Sequence, residues 1–359
     1  MGKGSKAIVP ISCLPSTTYH LLPTVCRPMI IPFFIPHAGC PHQCVFCDQE
    51  RITGQSAAPD PAVIRGTIAE RLRTDTTGRP VQVAFYGGSF TALPTGMQQA
   101  YLEQVQRFIE SGDVGSIRVS TRPDAISPGI LAFLERFRVT TVELGAQSMD
   151  DEVLRRAGRG HSSTDTRQAV RLLKEQGFIV GMQLMPGLPA DSPGTFRRTV
   201  DEVIGLAPAL VRIYPALVIR DTPLEKLYRQ GSYRPLSLDN AVSLCADALE
   251  RFRGAGIEVI RMGLQPTEEL GRPGTVVAGP YHPAFRDLVE STVFLRHMRL
   301  LAASGNSAFL VNPSDLSRAI GQHRGNVLAL QEELGMEVRV QGDPSVPRGE
   351  VLMRTEATG

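Results

Sequence analysis

The sequence has almost no net charge, no apolar run long enough to span a bilayer and no internal repeat at the periods of solenoid proteins. With 38 Lys and Arg against 36 Asp and Glu it carries a formal +2, too near zero to announce nucleic-acid binding, although one domain could still bear a basic patch. The apolar stretch from Cys26 to Cys40 is broken by Pro28, Pro32 and Pro36 and is too short for a transmembrane helix, so it reads as a buried strand. The start MGKGSKAIVP shows no secretory pattern, and Lys6 stands where an N-myristoylation signal wants Ser or Thr; the expectation is a cytoplasmic chain that engages no membrane. Lysine occurs only at Lys3, Lys6, Lys174 and Lys226, a bias without evident functional content. An apolar fraction of 42% and a charged fraction of 21% show no bias toward disorder, and 359 residues suffice for one large domain and a small one.

What is present is strand and helix in alternation. Short apolar runs at 30–35, 81–86, 117–120, 140–146, 178–184 and 210–215 each end in a Gly-, Pro- or Ser-rich turn. Between them, apolar residues at three- and four-residue intervals predict helices over 61–73, 96–110, 128–137, 165–177 and 194–206. Six such units imply a parallel sheet with right-handed crossovers, and one that stops short of the eight units of a closed barrel. A helix over 238–256 leads to a further strand at 257–263. The expected fold is therefore α/β: a partial (β/α)6 TIM-like barrel followed by a small C-terminal α/β domain. The boundaries read as an N-terminal extension over 1–27, the barrel over 28–263, a Gly/Pro-rich linker or active-site loop over 264–285 and the small domain over 286–359. In such barrels the chemistry sits in the loops at the C-terminal ends of the strands.

The loop after the first strand, 36-PHAGCPHQCVFCDQE-50, places Cys40, Cys44 and Cys47 within eight residues. In a reducing compartment such a group points to metal binding or catalysis rather than to disulfides, while the scattered Cys13, Cys26 and Cys245 read as free buried thiols. A closed zinc site wants four ligands; no second C-x2-C exists, and His37 or His42 would have to complete the set. An iron–sulfur cluster fits better, with one iron left free of a protein ligand and so open to a substrate or cofactor.

The C-x3-C-x2-C spacing after a first barrel strand resembles the signature of the radical S-adenosylmethionine (SAM) superfamily. That resemblance implies a [4Fe-4S] cluster on Cys40, Cys44 and Cys47 whose open iron chelates the methionine part of SAM. It further implies reductive cleavage to a 5′-deoxyadenosyl radical that takes hydrogen from substrate, and an electron donor of the flavodoxin or ferredoxin type. It places Phe46 near the adenine, unless Phe46 is an ordinary loop anchor. In 85-FYGGSF-90, Gly87, Gly88 and Ser89 match the position of the family's Gly-Gly-Glu, with Ser89 in place of the carboxylate. Glu143 and Gln147 sit in or at the end of an apolar strand and need partners, either ligand hydroxyls and Arg groups or a structural pair with Arg122. Among Arg155, Arg156, Arg159 and His161, Arg159 is the candidate for a bidentate hold on the SAM carboxylate, with Arg155 and Arg156 on a solvated helix face. Gln183 and Tyr214 face the pocket if the strand registers hold. No residue is identified as catalytic.

The ordered set GGSF, TRPD, ELGAQS, RGHS, MPGLP and YPALVIRDTPLEKLYRQGSY resembles the radical SAM region of the catalytic subunit of Elongator, a transfer-RNA wobble-uridine modifying enzyme, over roughly residues 30–265. The resemblance does not extend to that protein's acetyltransferase domain: the nearest phosphate-loop candidate, 322-QHRGNV-327, ends in Val327. Residues 315–340 are instead similar to the helix–loop–helix–strand half of K-homology RNA-binding domains, in which a G-x-x-G loop clamps the nucleic-acid backbone. The corresponding residues are Gly321, Gln322, His323 and Arg324, with Arg324 in place of the second Gly. The implied function is a radical SAM enzyme acting on structured RNA such as tRNA. A radical enzyme acting on a small molecule or protein, and a non-enzymatic metal- or RNA-binding protein, are the alternatives.

Overall fold

The computed structural model describes residues 28–55, 57–302 and 307–354. The chain divides into two compact units, one ending at Pro283 and one beginning at Ala284. In the first, β1 (Met29–Ile35), β2 (Val81–Gly87), β3 (Ser116–Thr121), β4 (Val139–Gln147), β5 (Ile179–Leu184) and β6 (Leu210–Ile213) lie side by side in chain order. The chain then leaves the sheet through the two-residue strand β7 (Val218–Ile219) and returns as β8 (Glu258–Met262), a seventh parallel strand beside β6. The sheet curls into a half-barrel, the partial barrel expected, with one strand more than the six units counted. The crossover helices include Pro61–Thr74, Thr95–Glu110, Pro128–Arg136, Ser163–Glu175, Pro193–Leu206 and Leu238–Gly254. Asp60, Ser127, Ser162, Ser192 and Ser237 cap five of these with side-chain oxygens that accept first-turn amides, which fixes where each begins.

The strands are less uniformly apolar than their hydrophobic runs imply. One face carries Val83, Phe85, Val119, Val142, Leu144, Met182 and Val211, all buried. The other carries Gln82, Arg118, Glu143, Gln183 and Arg212, which makes the concave wall polar. Glu143 holds that wall together. Its Oε1 lies 2.5 Å from Arg118 Nη1 and its Oε2 2.5 Å from Arg212 Nε, so three strands are tied by one carboxylate. Gln82 Oε1 accepts from Arg118 Nε at 2.7 Å, and a Cβ on Gly181 would crowd Glu143 Cγ at 2.8 Å. The structural pair of Glu143 with Arg122 does not form. Arg122 instead makes a bidentate pair with Asp124, at 2.9 and 2.8 Å, because its strand has turned into a 3-10 helix by that point.

The segment 264–285 is more than a linker. It carries a short helix, Glu268–Gly271, and β9 (Val276–Ala278), which pairs antiparallel with β7. Leu270 packs with Leu217 and Ile219, so the segment through Pro283 belongs to the first unit.

In the second unit the helix Phe285–Ala302 precedes β10 (Ala308–Val311), then come the helices Leu316–Ile320 and Gly325–Leu334, β11 (Arg339–Gly342) and β12 (Val351–Met353). The sheet order is β11-β10-β12, with β11 parallel and β12 antiparallel to β10. Phe294, Met298, Phe309, Val311, Ala319 and Leu330 form its core. Among the described residues no helix is long and apolar enough to cross a membrane. Cys13 and Cys26 lie outside the described residues; Cys245 is a buried free thiol.

Because Glu143 neutralises two guanidiniums that have little access to water, removing it strands both. Glu143→Ala should destabilise the protein by about 3–5 kcal/mol in urea unfolding. A loss below about 1 kcal/mol would show that the strands do not depend on this carboxylate.

Candidate cofactor site at the mouth of the half-barrel

The cysteine loop leaves β1 through a tight reversal in which His37 and Gly39 take positive φ, 52° and 73°. It is seated on the turn after β2. Gly88 N donates to Ile35 O at 2.8 Å and Ser89 N to Ala38 O at 2.9 Å. A Cβ on Gly88 would overlap the Ala38 carbonyl oxygen, and one on Gly39 the Ser89 carbonyl oxygen, so two backbones meet where neither can carry a side chain. The far end of the loop is fixed by Val45, whose amide donates to Ala157 O at 3.0 Å and whose carbonyl accepts from Leu224 N at 2.8 Å. Phe46 is half-buried and packs against the clusters around Val153, Leu188 and Ala216 and around Val218 and Leu224, which makes it an anchor of the loop.

The three thiols feel one another. Burial, and then the charges of Cys44 and Cys40, push the Cys47 thiol up to about 12; burial and Cys44 push Cys40 up, with Arg159 and Arg122 acting the other way. Arg159 is buried against them. Its Nη1 donates to Cys44 Sγ at 3.1 Å, its Nη2 to the Gly145 carbonyl at 2.6 Å, and its Nε has no partner. A cationic centre that takes all three thiolates removes their mutual penalty, and the guanidinium adds a positive charge on the same side. The donor set therefore suits a [4Fe-4S] cluster. It suits zinc poorly: His37 Nε2 already accepts from Gln49 N at 3.0 Å, and the His42 ring lies against Gly160. Among the described residues no three His, Cys, Asp or Glu side chains close around a single ion.

The other expected residues gather at the ends of β2, β4 and β5. Gln147 ends β4 with φ 67°, and its Oε1 accepts from Gln183 Nε2 at 3.3 Å. Gly145 lies under both Gln147 and Arg159. Ser89 is fully buried with its hydroxyl bonded to Thr121 Oγ1 at 2.9 Å, so it ties β2 to β3. Gly87, with φ 103°, supplies the turn that seats the cysteine loop. Tyr214 faces inward as the register requires, accepting from Arg212 Nη1 at 3.1 Å. Arg155 and Arg156 are exposed and paired with Glu152, a solvated helix face as expected. His161 is buried, and burial, then Arg159 and Arg122, push it down to about 4, so it is neutral at pH 7.

Sequence reasoning missed Arg118, Arg212 and Tyr86. The signal was available: a guanidinium inside the runs IRVS and VRIY demands a partner as surely as Glu143 does.

The radical SAM superfamily pattern matches residues 34–203, and the radical SAM C-terminal domain matches residues 208–294. A tRNA uridine(34) acetyltransferase of Dehalococcoides mccartyi is 29% identical over 242 residues, 58% of this chain and 53% of that protein. Elongator complex protein 3 of Dictyostelium discoideum is 28% identical over 261 residues, 60% of this chain and 46% of that protein. The chain thus spans about half the length of the curated relatives it matches. Among solved structures, the archaeal Methanocaldococcus infernus Elp3 with an N-terminal deletion superposes with a TM-score of 0.60 at 23% identity, over 77% of this chain and 64% of that one. At that identity the likeness speaks for the fold.

The glycine seat yields a direct test. Gly88→Ala should displace the cysteine loop and at least halve the iron retained per chain after anaerobic reconstitution, with the far-UV spectrum unchanged. Full iron retention would show that the seat is dispensable.

Proposed function

Because the chain belongs to the radical SAM superfamily, whose enzymes use a [4Fe-4S] cluster and S-adenosylmethionine, we propose that it modifies structured RNA, with tRNA the first substrate to test. The observation that carries the enzymatic reading is the three-cysteine loop seated on Gly88 with Arg159 directed at Cys44. What the cluster supplies when bound is the electron for reductive cleavage of SAM to a 5′-deoxyadenosyl radical. The chain's own part is to hold and exclude. Cys40, Cys44 and Cys47 hold the cluster. Arg159, half committed to Gly145 and with an unpartnered Nε, has capacity for the SAM carboxylate. Gln147 and Gln183 offer amide groups at the strand ends for ribose hydroxyls. Phe46 keeps the loop closed against the rim and keeps water from its underside. An external flavodoxin- or ferredoxin-type protein delivers the electron.

The RNA reading draws on the names of the relatives, tRNA uridine(34) acetyltransferase and Elongator complex protein 3, and on the second unit. Between its helices Leu316–Ile320 and Gly325–Leu334 lies a single 3-10 turn, Gln322–Arg324, with no buried residue. Gly321 has φ 81°, and His323 and Arg324 also take left-handed backbone, φ 51° and 63°. Two consecutive side-chain-bearing residues in that region are costly, about 1 kcal/mol or more each, and such strain recurs at ligand clamps. A backbone-clamping turn with Arg324 toward a phosphate accounts for both the strain and the exposure.

Two measurements test this. The anaerobically reconstituted protein should form 5′-deoxyadenosine from SAM with a chemical or flavodoxin reductant, and Cys44→Ala should lower the rate by at least a hundredfold; an iron-loaded protein that leaves SAM intact would refute the enzymatic reading. Arg324→Gly, which relieves the backbone strain, should keep or raise thermal stability while weakening binding to total small RNA several-fold at low salt. Unchanged RNA affinity would favour a small-molecule or protein substrate.

A further inference from the structure

We propose that the concave wall at β2, β6 and β8 is a phosphate site for the substrate, formed by Arg212, Arg261, Tyr86 and Tyr214. The first ground is charge. Arg118, Arg212 and Arg261 project from β3, β6 and β8, and Glu143 is the one carboxylate paired with any of them among the described residues. Register places Arg212 opposite Arg261 on β8 and opposite Gln183 on β5, so these side chains share a face, and it is the face on which Arg212 meets Glu143. Arg261 is half-buried, and its side chain makes no ion pair or hydrogen bond among the described residues. A wall with guanidiniums in excess, sheltered from bulk solvent, needs an anion from elsewhere.

The second ground is the direction of the hydrogen bonds. Arg212 Nη2 donates to Tyr86 Oη at 2.8 Å and to Glu143 Oε1 at 3.0 Å, and Nη1 donates to Tyr214 Oη at 3.1 Å. Both phenol oxygens are therefore acceptors toward the guanidinium, and neither phenol proton has an acceptor among the described residues. The Tyr86 ring also stacks on the guanidinium, with Cζ 4.9 Å from its centroid, which fixes the hydroxyl in place. Burial, then the charge of Glu143, push the Tyr86 phenol up, so it stays a donor. The remaining Nη1 proton of Arg212, the unpaired Arg261 and two phenol protons make a multi-donor cationic set contributed by three strands. That set matches the several oxygens and the charge of a phosphate better than it matches a neutral carbonyl or a single carboxylate.

The assignment rests on the reading that this mouth receives a phosphorylated substrate, but it is testable without turnover. The full-length reconstituted protein is titrated calorimetrically at low ionic strength with inorganic phosphate, acetate, uridine 5′-monophosphate, the trinucleotide UpUpU and SAM. Wild type should bind inorganic phosphate saturably and more tightly than acetate; tighter uridine 5′-monophosphate than UpUpU assigns a terminal phosphate, the reverse an internal phosphodiester. Arg261→Gln should weaken phosphate binding at least tenfold and Tyr214→Phe several-fold, with SAM affinity within twofold of wild type. Arg261 is chosen because it holds no other group in place, so its loss leaves the Glu143 pairs intact. The proposal is overturned if phosphate does not saturate, if acetate binds as well, if Arg261→Gln changes nothing, or if SAM affinity falls in step. A protein that binds phosphate in this way yet cleaves no SAM would refute the enzymatic reading and leave the phosphate site standing.

Discussion

One buried and two half-buried thiols share one short loop, and the backbone and charge around that loop are arranged to hold them together. Burial and mutual charge raise Cys40 and Cys47; Arg159, held by the Gly145 carbonyl at the end of β4, opposes both shifts, and Arg122 also opposes that of Cys40. The loop can sit there because Gly88 and Gly39 remove the side chains that would separate it from the turn after β2. The loop is thus held by backbone contact at one strand end and by a guanidinium at another. An open metal position is useful only inside such an enclosure, where what reaches it is set by the wall of the barrel.

That wall was the part least visible in the sequence. Alternation of strand and helix, apolar residues at three- and four-residue intervals and the cysteine spacing were enough to read a partial barrel with its cluster loop after β1, because those signals are local. The partnership of Glu143 was not local. The sequence offered Arg122, 21 positions away along a continuous path, whereas the fold brings Arg118 and Arg212 from two other strands. Short hydrophobic runs also hid Arg118 and Arg212, since one polar residue among apolar ones barely alters a run but changes the face it lies on. The segment after residue 263 read as a linker or an active-site loop for a similar reason: a three-residue strand and a four-residue helix leave no periodicity to detect.

The two units divide the work that the proposal assigns. The first has the three-cysteine loop and a polar wall in which guanidiniums outnumber carboxylates; the second has an exposed turn in which His323 and Arg324 both take left-handed backbone. Ser89 illustrates how this chain departs from the pattern it resembles, for a residue at the position of a ligand-binding carboxylate is here a buried tie between β2 and β3.

The account stands or falls on an iron of the cluster that no protein side chain occupies and that SAM reaches. Electron paramagnetic resonance of the anaerobically reconstituted, reduced protein with and without SAM measures this directly. The account predicts a reduced [4Fe-4S] signal whose line shape changes on adding SAM; a cluster signal indifferent to SAM, or a protein that holds no cluster, would contradict it.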